Sequence, residues 1–202
     1  GLTSTQIVTL SQTQAKSLSA SQLNLFSSSQ TAALSTTSIA ALDLASLASL
    51  QVSSLTSAQV TSLKATQIKS LSSAQIAALP TLQTQQLSID AIKALTASQI
   101  AALRTDQINK LTNAQIASLT ASQLNALTSD QIPKLTVSAL KSLSIAGMSN
   151  DKLLALTQSQ INTLSSDQWN SLGSSKRRAI LTSTVSVSNG GTMTTIRMIA
   201  LI

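Results

Sequence analysis

Apolar residues recur along this chain in an eight-residue frame, and hydroxyl and amide side chains fill most of the positions between them. The clearest stretch reads Thr96-Ala97-Ser98-Gln99-Ile100-Ala101-Ala102-Leu103, then Arg104-Thr105-Asp106-Gln107-Ile108-Asn109-Lys110-Leu111, then Thr112-Asn113-Ala114-Gln115-Ile116-Ala117-Ser118-Leu119. The pattern is Thr/Ser-x-x-Gln-Ile-x-x-Leu. Octads in this frame open at 3, 11, 19, 27 and 35, at every eighth residue from 48 to 136, and at 149, 157 and 165. Two five-residue units, Asp43 to Leu47 and Ser144 to Met148, break the phase. The last position of each octad is Leu, with Phe26 the exception.

One continuous amphipathic helix does not fit this spacing. Eight residues overshoot two turns of an α-helix by about 80°, so the Ile and Leu positions would wind around the whole helix within a few repeats. Supercoiling absorbs the small drift of a heptad array but not one of this size. The helix has to be interrupted once per octad, and the interruption is written in the residues. Thr or Ser followed three residues later by Gln is a capping box, in which the hydroxyl accepts from the third helical amide and Gln reaches back to the cap amide. The preceding Leu and the following Ile, as in Leu95/Ile100, Leu111/Ile116 and Leu119/Leu124, form the hydrophobic staple of the same motif. Each cap contributes about 1 kcal/mol.

Helices this short do not persist alone, because nucleation is costly. Their Ile and Leu side chains must be buried against neighbouring octads, at about 1.5–3 kcal/mol each. That is the logic of a solenoid, with three or four octads per superhelical turn and Ala at the sixth and seventh positions permitting close approach. Pro80 falls at a cap, and Pro133 late in its octad, where little helix remains to be broken. Ala48, Lys64 and Arg104 lack the cap hydroxyl, so their helices are expected to be locally weaker. The five-residue units are expected to bulge or re-phase the array.

The octad decays from Lys176. Ile180 to Ser188 is β-branched and roughly alternating, Asn189-Gly190-Gly191 is a turn signal, and Ile196, Met198, Ala200 and Ile202 then fall on one face. This predicts a β-hairpin. The expected fold is therefore mainly α: a solenoid of very short capped helices over residues 1–175, with a C-terminal β-hairpin over 176–202. The hairpin either caps the open end of the solenoid or docks onto a neighbouring subunit by strand addition. In the second case Val185, Val187, Ile196, Met198 and Ile202 are the assembly residues.

Composition removes most chemistry. The chain has no Cys, His, Tyr or Glu, and charged residues are 9% of it. Disulfides and Cys/His metal sites are excluded, and the many Ser residues have no base to activate them. Asp106, Asp130 and Asp167 each precede the repeat Gln, where a carboxylate favours a helix N-terminus. Asp43, Asp90 and Asp151 are isolated, with no paired-Asp calcium loop. Trp169 replaces the usual Ile and reads as a core residue closing the array. No catalytic residue, cofactor site or metal site is assigned. The net charge of +7 raises the question of nucleic acid, but the lysines are spread along the array. Only Lys176-Arg177-Arg178 cluster, without aromatic stacking partners. No apolar run approaches the ~18 residues of a membrane span, and no signal segment is legible at the N-terminus. An opening Gly1 reads as a processed chain or a fragment.

The array resembles the long octad repeats of large secreted or cell-surface proteins of alphaproteobacteria and their relatives, a resemblance covering about residues 3 to 172. Such proteins carry adhesin or haem-utilisation labels, and the haem label lacks His, Cys and Tyr ligands here. The resemblance implies an extracellular or cell-surface location. The leading expectation is a structural protein that self-associates into a homopolymer, as a filament, stalk or fibre subunit. The alternatives are an adhesin presenting a hydroxyl- and amide-rich face to glycans or a surface and, more weakly, a nucleic-acid binder. An enzyme is the least expected class.

Overall fold

The computed structural model of the chain describes residues 1–182, 185–187 and 191–193. Two compact units divide it, Gly1–Leu111 and Thr112–Ile202. Both are built from very short helices, nearly all of four to six residues, opening in step with the octads.

The octad from Thr96 shows how the break is made. Thr96 is extended (φ −72°, ψ 161°), and the helix Ala97–Ala102 follows it. The Thr96 hydroxyl accepts from the Gln99 amide at 3.2 Å, and the Thr96 N–H donates to Gln99 Oε1 at 2.8 Å. The helix ends at Leu103 (φ −58°, ψ 135°), whose N–H reaches back only three residues, to the Ile100 carbonyl at 3.2 Å. Arg104 is extended as well and starts the next helix, Thr105–Lys110. No glycine or proline is needed to stop the helix. Each stop is the next octad's start.

Side chains at the fifth and eighth positions turn inward, joined by the fourth in the octads beyond the first coil. Gln99, Ile100 and Leu103 are buried, as are Gln107, Ile108 and Leu111, while the second, third and sixth positions are open to water. In the first unit each helix packs on the helix three elements earlier: Ala97–Ala102 on Ser73–Ala78, and Ile89–Ala94 on Ala65–Ser70. Unit two repeats the rule, with Gln158–Ile161 on Val137–Lys141. Each unit is solenoid-like, its coils stacked through small aliphatic contacts.

The first phase break lies elsewhere than expected. Asp43 is an N-cap, its carboxylate accepting from the Ser46 amide at 2.7 Å, and the helix it opens runs Leu44–Ala48. Residues 43–50 therefore form a full octad, with Ser46 and Leu47 at the buried fourth and fifth positions. The five-residue unit is 51–55, a 3₁₀ turn at Val52–Ser54 with Val52 and Leu55 buried. Ala48 is the end of a helix, not a failed cap. The sequence frame misplaced the unit because Asp43 and Ser46 stand where hydroxyl and Gln were sought, although carboxylates cap equally well.

Residues 144–148 do form the second short unit. Ile145 and Met148 are buried, and the Met148 N–H donates to the Ile145 carbonyl at 3.0 Å, as Leu55 does to Val52 at 3.2 Å in unit 51–55. Its glycine has a steric reason. A Cβ on Gly147 would lie 2.8 Å from Ala121 Cβ, which has no rotamer with which to retreat. Gly147→Ala is expected to cost about 1–3 kcal/mol, the usual scale of overpacking, measured as a lower urea midpoint at unchanged slope.

Pro133 acts earlier than expected. The octad 128–135 keeps its capping box, with the Thr128 N–H donating to Gln131 Oε1 at 2.7 Å. The α-helix is replaced by a turn and the 3₁₀ segment Ile132–Lys134, so Asp130 lies in that turn rather than in an α-helix. Proline has no N–H to extend the ladder and crowds the preceding turn.

Thr31 and Thr84 occupy the fifth position, where Ile is usual, and both are fully buried. The Thr84 hydroxyl donates to the Pro80 carbonyl at 3.2 Å and accepts from Gln107 Nε2 at 3.0 Å. The Thr31 hydroxyl has no partner. Thr31→Val keeps the shape and removes an unpaired buried hydroxyl, so a gain of about 1 kcal/mol in unfolding free energy is expected, with Thr84→Val losing stability in the same assay.

At the C-terminal end the helix Ser174–Leu181 runs across the expected boundary at 175/176 and takes Ile180 and Leu181, which alternation alone had placed in a strand. Two three-residue strands, Val185–Val187 and Gly191–Met193, pair antiparallel with Val185 opposite Met193. The remainder of the expected hairpin, including Asn189, Ile196, Met198 and Ile202, lies outside the described residues. Among the described residues no helix is long and apolar enough to cross a membrane.

Candidate functional site

The repeat Gln does more than close a capping box. With Oε1 occupied by its own cap, its Nε2 donates to main-chain carbonyls of the octad four elements earlier, at that octad's fifth and eighth positions. Gln59 reaches Thr31 (3.0 Å) and Leu34 (2.6 Å), and Gln67 reaches Ile39 (3.0 Å) and Leu42 (3.1 Å). Gln99 reaches Ile68 (2.9 Å) and Leu71 (2.6 Å), and Gln107 reaches Ile76 (3.1 Å) and Leu79 (2.8 Å). In the second unit Gln160 bonds Ile132 and Leu135 at 3.0 and 2.8 Å, and Gln168 bonds Leu140 and Leu143 at 2.7 and 2.8 Å.

These carbonyls lie at helix C-termini: the fifth-position one also accepts the N–H of the eighth residue, and the eighth-position one lies past the end of the helical ladder. One amide thus caps a helix start on its own coil and a helix end on the coil beneath. Packing three elements back and bonding four back set the coil between three and four octads per turn. A carboxylate would serve the capping box but could not donate. That accounts for the absence of Glu from a motif that elsewhere takes Glu or Gln, and it was the one signal in the sequence from which this second role could have been read.

At two positions without Gln, another side chain donates instead. Ser46 donates its hydroxyl to the Leu18 carbonyl at 3.1 Å, and Lys176 Nζ donates to the Ala146 carbonyl at 2.7 Å. Lys64 and Arg104 have no side-chain acceptor, yet half of each box survives, their N–H groups donating to Gln67 Oε1 at 3.0 Å and Gln107 Oε1 at 2.8 Å. Arg104 also donates to the Ala77 carbonyl and grips Asp106 through Nε at 3.1 Å and Nη2 at 3.3 Å. Asp106 accepts the Thr81 hydroxyl at 2.8 Å as well. The octad at 104 is tied down rather than weakened.

The three aspartates with displaced titration are all held below the usual carboxylate range. For Asp43 the cause is first the Ser46 amide and hydroxyl, for Asp106 the Arg104 guanidinium and then Thr81, for Asp151 the Ser149 hydroxyl and then Lys152. A depressed folded-state value contributes stability above the unfolded value, which is lost as pH falls through the folded one. With no His, Cys or Glu in the chain, thermal midpoints are expected to be flat from about pH 5 to 9 and to fall below about pH 4. Calorimetry across that range at low salt checks it. Among the described residues no three His, Cys, Asp or Glu gather to hold a metal ion.

One cleft of about 650 Å³ opens on the first unit, lined by Gln12, Thr13, Lys16, Asp43, Lys64 and Thr66 among others. In the second, Trp169 is half-buried rather than sealed in the core, and it lines a smaller cleft with Arg177 and Arg178. Of the expected assembly residues, Val185 and Val187 fall in the first strand, and Ile196, Met198 and Ile202 lie outside the described residues.

Stacked capped helices tied by recurring Gln bonds define a helical repeat protein. A family model described as the ALTTAQ repeat matches residues 110–137, within the run of octads. No curated protein matches the chain.

Proposed function

We propose that this chain is a non-enzymatic structural repeat protein, an extracellular or cell-surface filament or fibre subunit that associates with further copies of itself. The observation that carries the reading is the coil-to-coil Gln bond, which Gln59, Gln67, Gln99, Gln107, Gln160 and Gln168 make with the same donor to the same two acceptor positions. Such a scaffold spends its polar groups on stacking and leaves a hydroxyl-rich surface with few charges. Self-association is assigned to the C-terminal segment, by main-chain pairing with a neighbour, with Val185, Val187, Ile196, Met198 and Ile202 the assembly residues that the sequence suggests. Negative-stain microscopy and sedimentation of the purified chain test this. Ordered fibres that vanish on deletion of Thr192 to Ile202, with helical circular dichroism retained, are the expected result. A monodisperse monomer at high concentration overturns it.

A further inference from the structure

We propose that the cleft of the first unit binds an acidic oligosaccharide, with Lys16 and Lys64 holding its carboxylate or sulfate groups. This is independent of the filament reading. The cleft runs over successive layers of one unit: the helix Gln12–Lys16, the helix Thr36–Ala41 packed on it with the junction at Leu42–Leu44, and the start of the helix Ala65–Ser70. Departures from the octad consensus converge there. Asp43 and Lys64 are two cap positions that have exchanged a hydroxyl for a charge, and both line it beside Lys16. In a chain with only 9% charged residues, three charges in one cleft are not explained by the repeat.

The comparison with Arg104 is informative. That basic cap is consumed structurally, by Asp106 and by carbonyls of the coil beneath. Among the described residues the ion pairs are Arg104–Asp106 and Lys152–Asp151, so neither Lys16 nor Lys64 is neutralised by one. Asp43, held ionised by the Ser46 amide at 2.7 Å and within the field of Lys16, offsets only one of the two lysines. The cleft therefore carries net positive charge beside the side chains of Gln12, Thr13 and Thr66, which suit sugar hydroxyls, while Leu44, 48% exposed, offers a small apolar face. Its size falls within the usual range of small-ligand sites. No aromatic ring lines it, so nucleobases find no stacking platform, and a polyol bearing anions is the better match.

The test is calorimetric titration of the chain with a heparin-derived tetrasaccharide at about 0.15 M salt, against a neutral maltotetraose and a short single-stranded DNA of equal charge. The double substitution Lys16→Gln/Lys64→Ser is compared with the charge-matched Lys93→Gln/Lys110→Gln. Lys64→Ser restores the consensus cap, so folding is retained, as circular dichroism will confirm. Saturable binding of the acidic tetrasaccharide, weakened about tenfold or more by the cleft variant and less than about twofold by the control, is the expected result. Equal losses in both variants would show diffuse attraction to the basic chain and overturn the site. So would DNA binding as tightly as the saccharide, or no saturable binding of the tetrasaccharide.

Discussion

Gln107→Glu is expected to destabilise the first unit by about 3–5 kcal/mol at neutral pH, the cost of leaving a buried charge uncompensated. By ordinary helix rules the change is harmless, because Glu completes a capping box as well as Gln. Here the side chain is fully buried, with its Nε2 between the Ile76 and Leu79 carbonyls and the Thr84 hydroxyl. A carboxylate would face those two carbonyl oxygens with no hydrogen to offer. Burial among acceptors raises its folded-state pKa, so the deficit should shrink as pH falls toward about 5 and the carboxyl takes up a proton. Gln14→Glu is the control. Gln14 accepts from the Ser11 N–H at 2.9 Å in the same kind of box but is exposed, and its substitution should stay within about 0.5 kcal/mol of the parent. Equal effects at the two positions would mean that the Gln is only a cap.

Ile100→Ala should cost about 3 kcal/mol, within the usual range for a fully buried aliphatic truncation. Its distribution is as informative as its size. In a nearest-neighbour stack the loss stays local. Hydrogen exchange should quicken in Ala97–Ala102 and in Ser73–Ala78, on which that helix packs, while the helix Ser4–Val8 keeps its protection. A uniform rise across residues 4–110 would show that the unit opens as one block instead.

Much of this architecture was legible because eight is incommensurate with the helical repeat. That mismatch, with a capping box and staple in octad after octad, forces a break that Thr96, Thr112 and Thr120 make as the sequence implies. The phase error at 43–47 arose from fixing the cap as Thr or Ser, where Asp43 makes the same bond. The stronger effect of Pro133 was missed because a helix of five residues has no slack, and loss of one N–H removes most of its ladder. The fate of Lys64 and Arg104 depends on neighbours about 25 to 30 residues away, such as Ala77, and no local rule reaches so far. The same holds for the second role of Gln and for the cleft, which exists only once residues 12–16, 40–44 and 64–67 are stacked. Periodicity reveals that coils form, whereas the identity of the groups that meet across them follows from the number of octads per turn.

Helices restart octad by octad, and the buried repeat Gln ties its helix to a preceding coil. Nuclear Overhauser contacts from the side-chain amides of Gln99 and Gln107 test it most directly. The account predicts contacts to Ile68 and Leu71 for the first and to Ile76 and Leu79 for the second, 28 to 31 residues earlier. Contacts confined to residues three and four away, as in a helix running unbroken through 96–111, would contradict it.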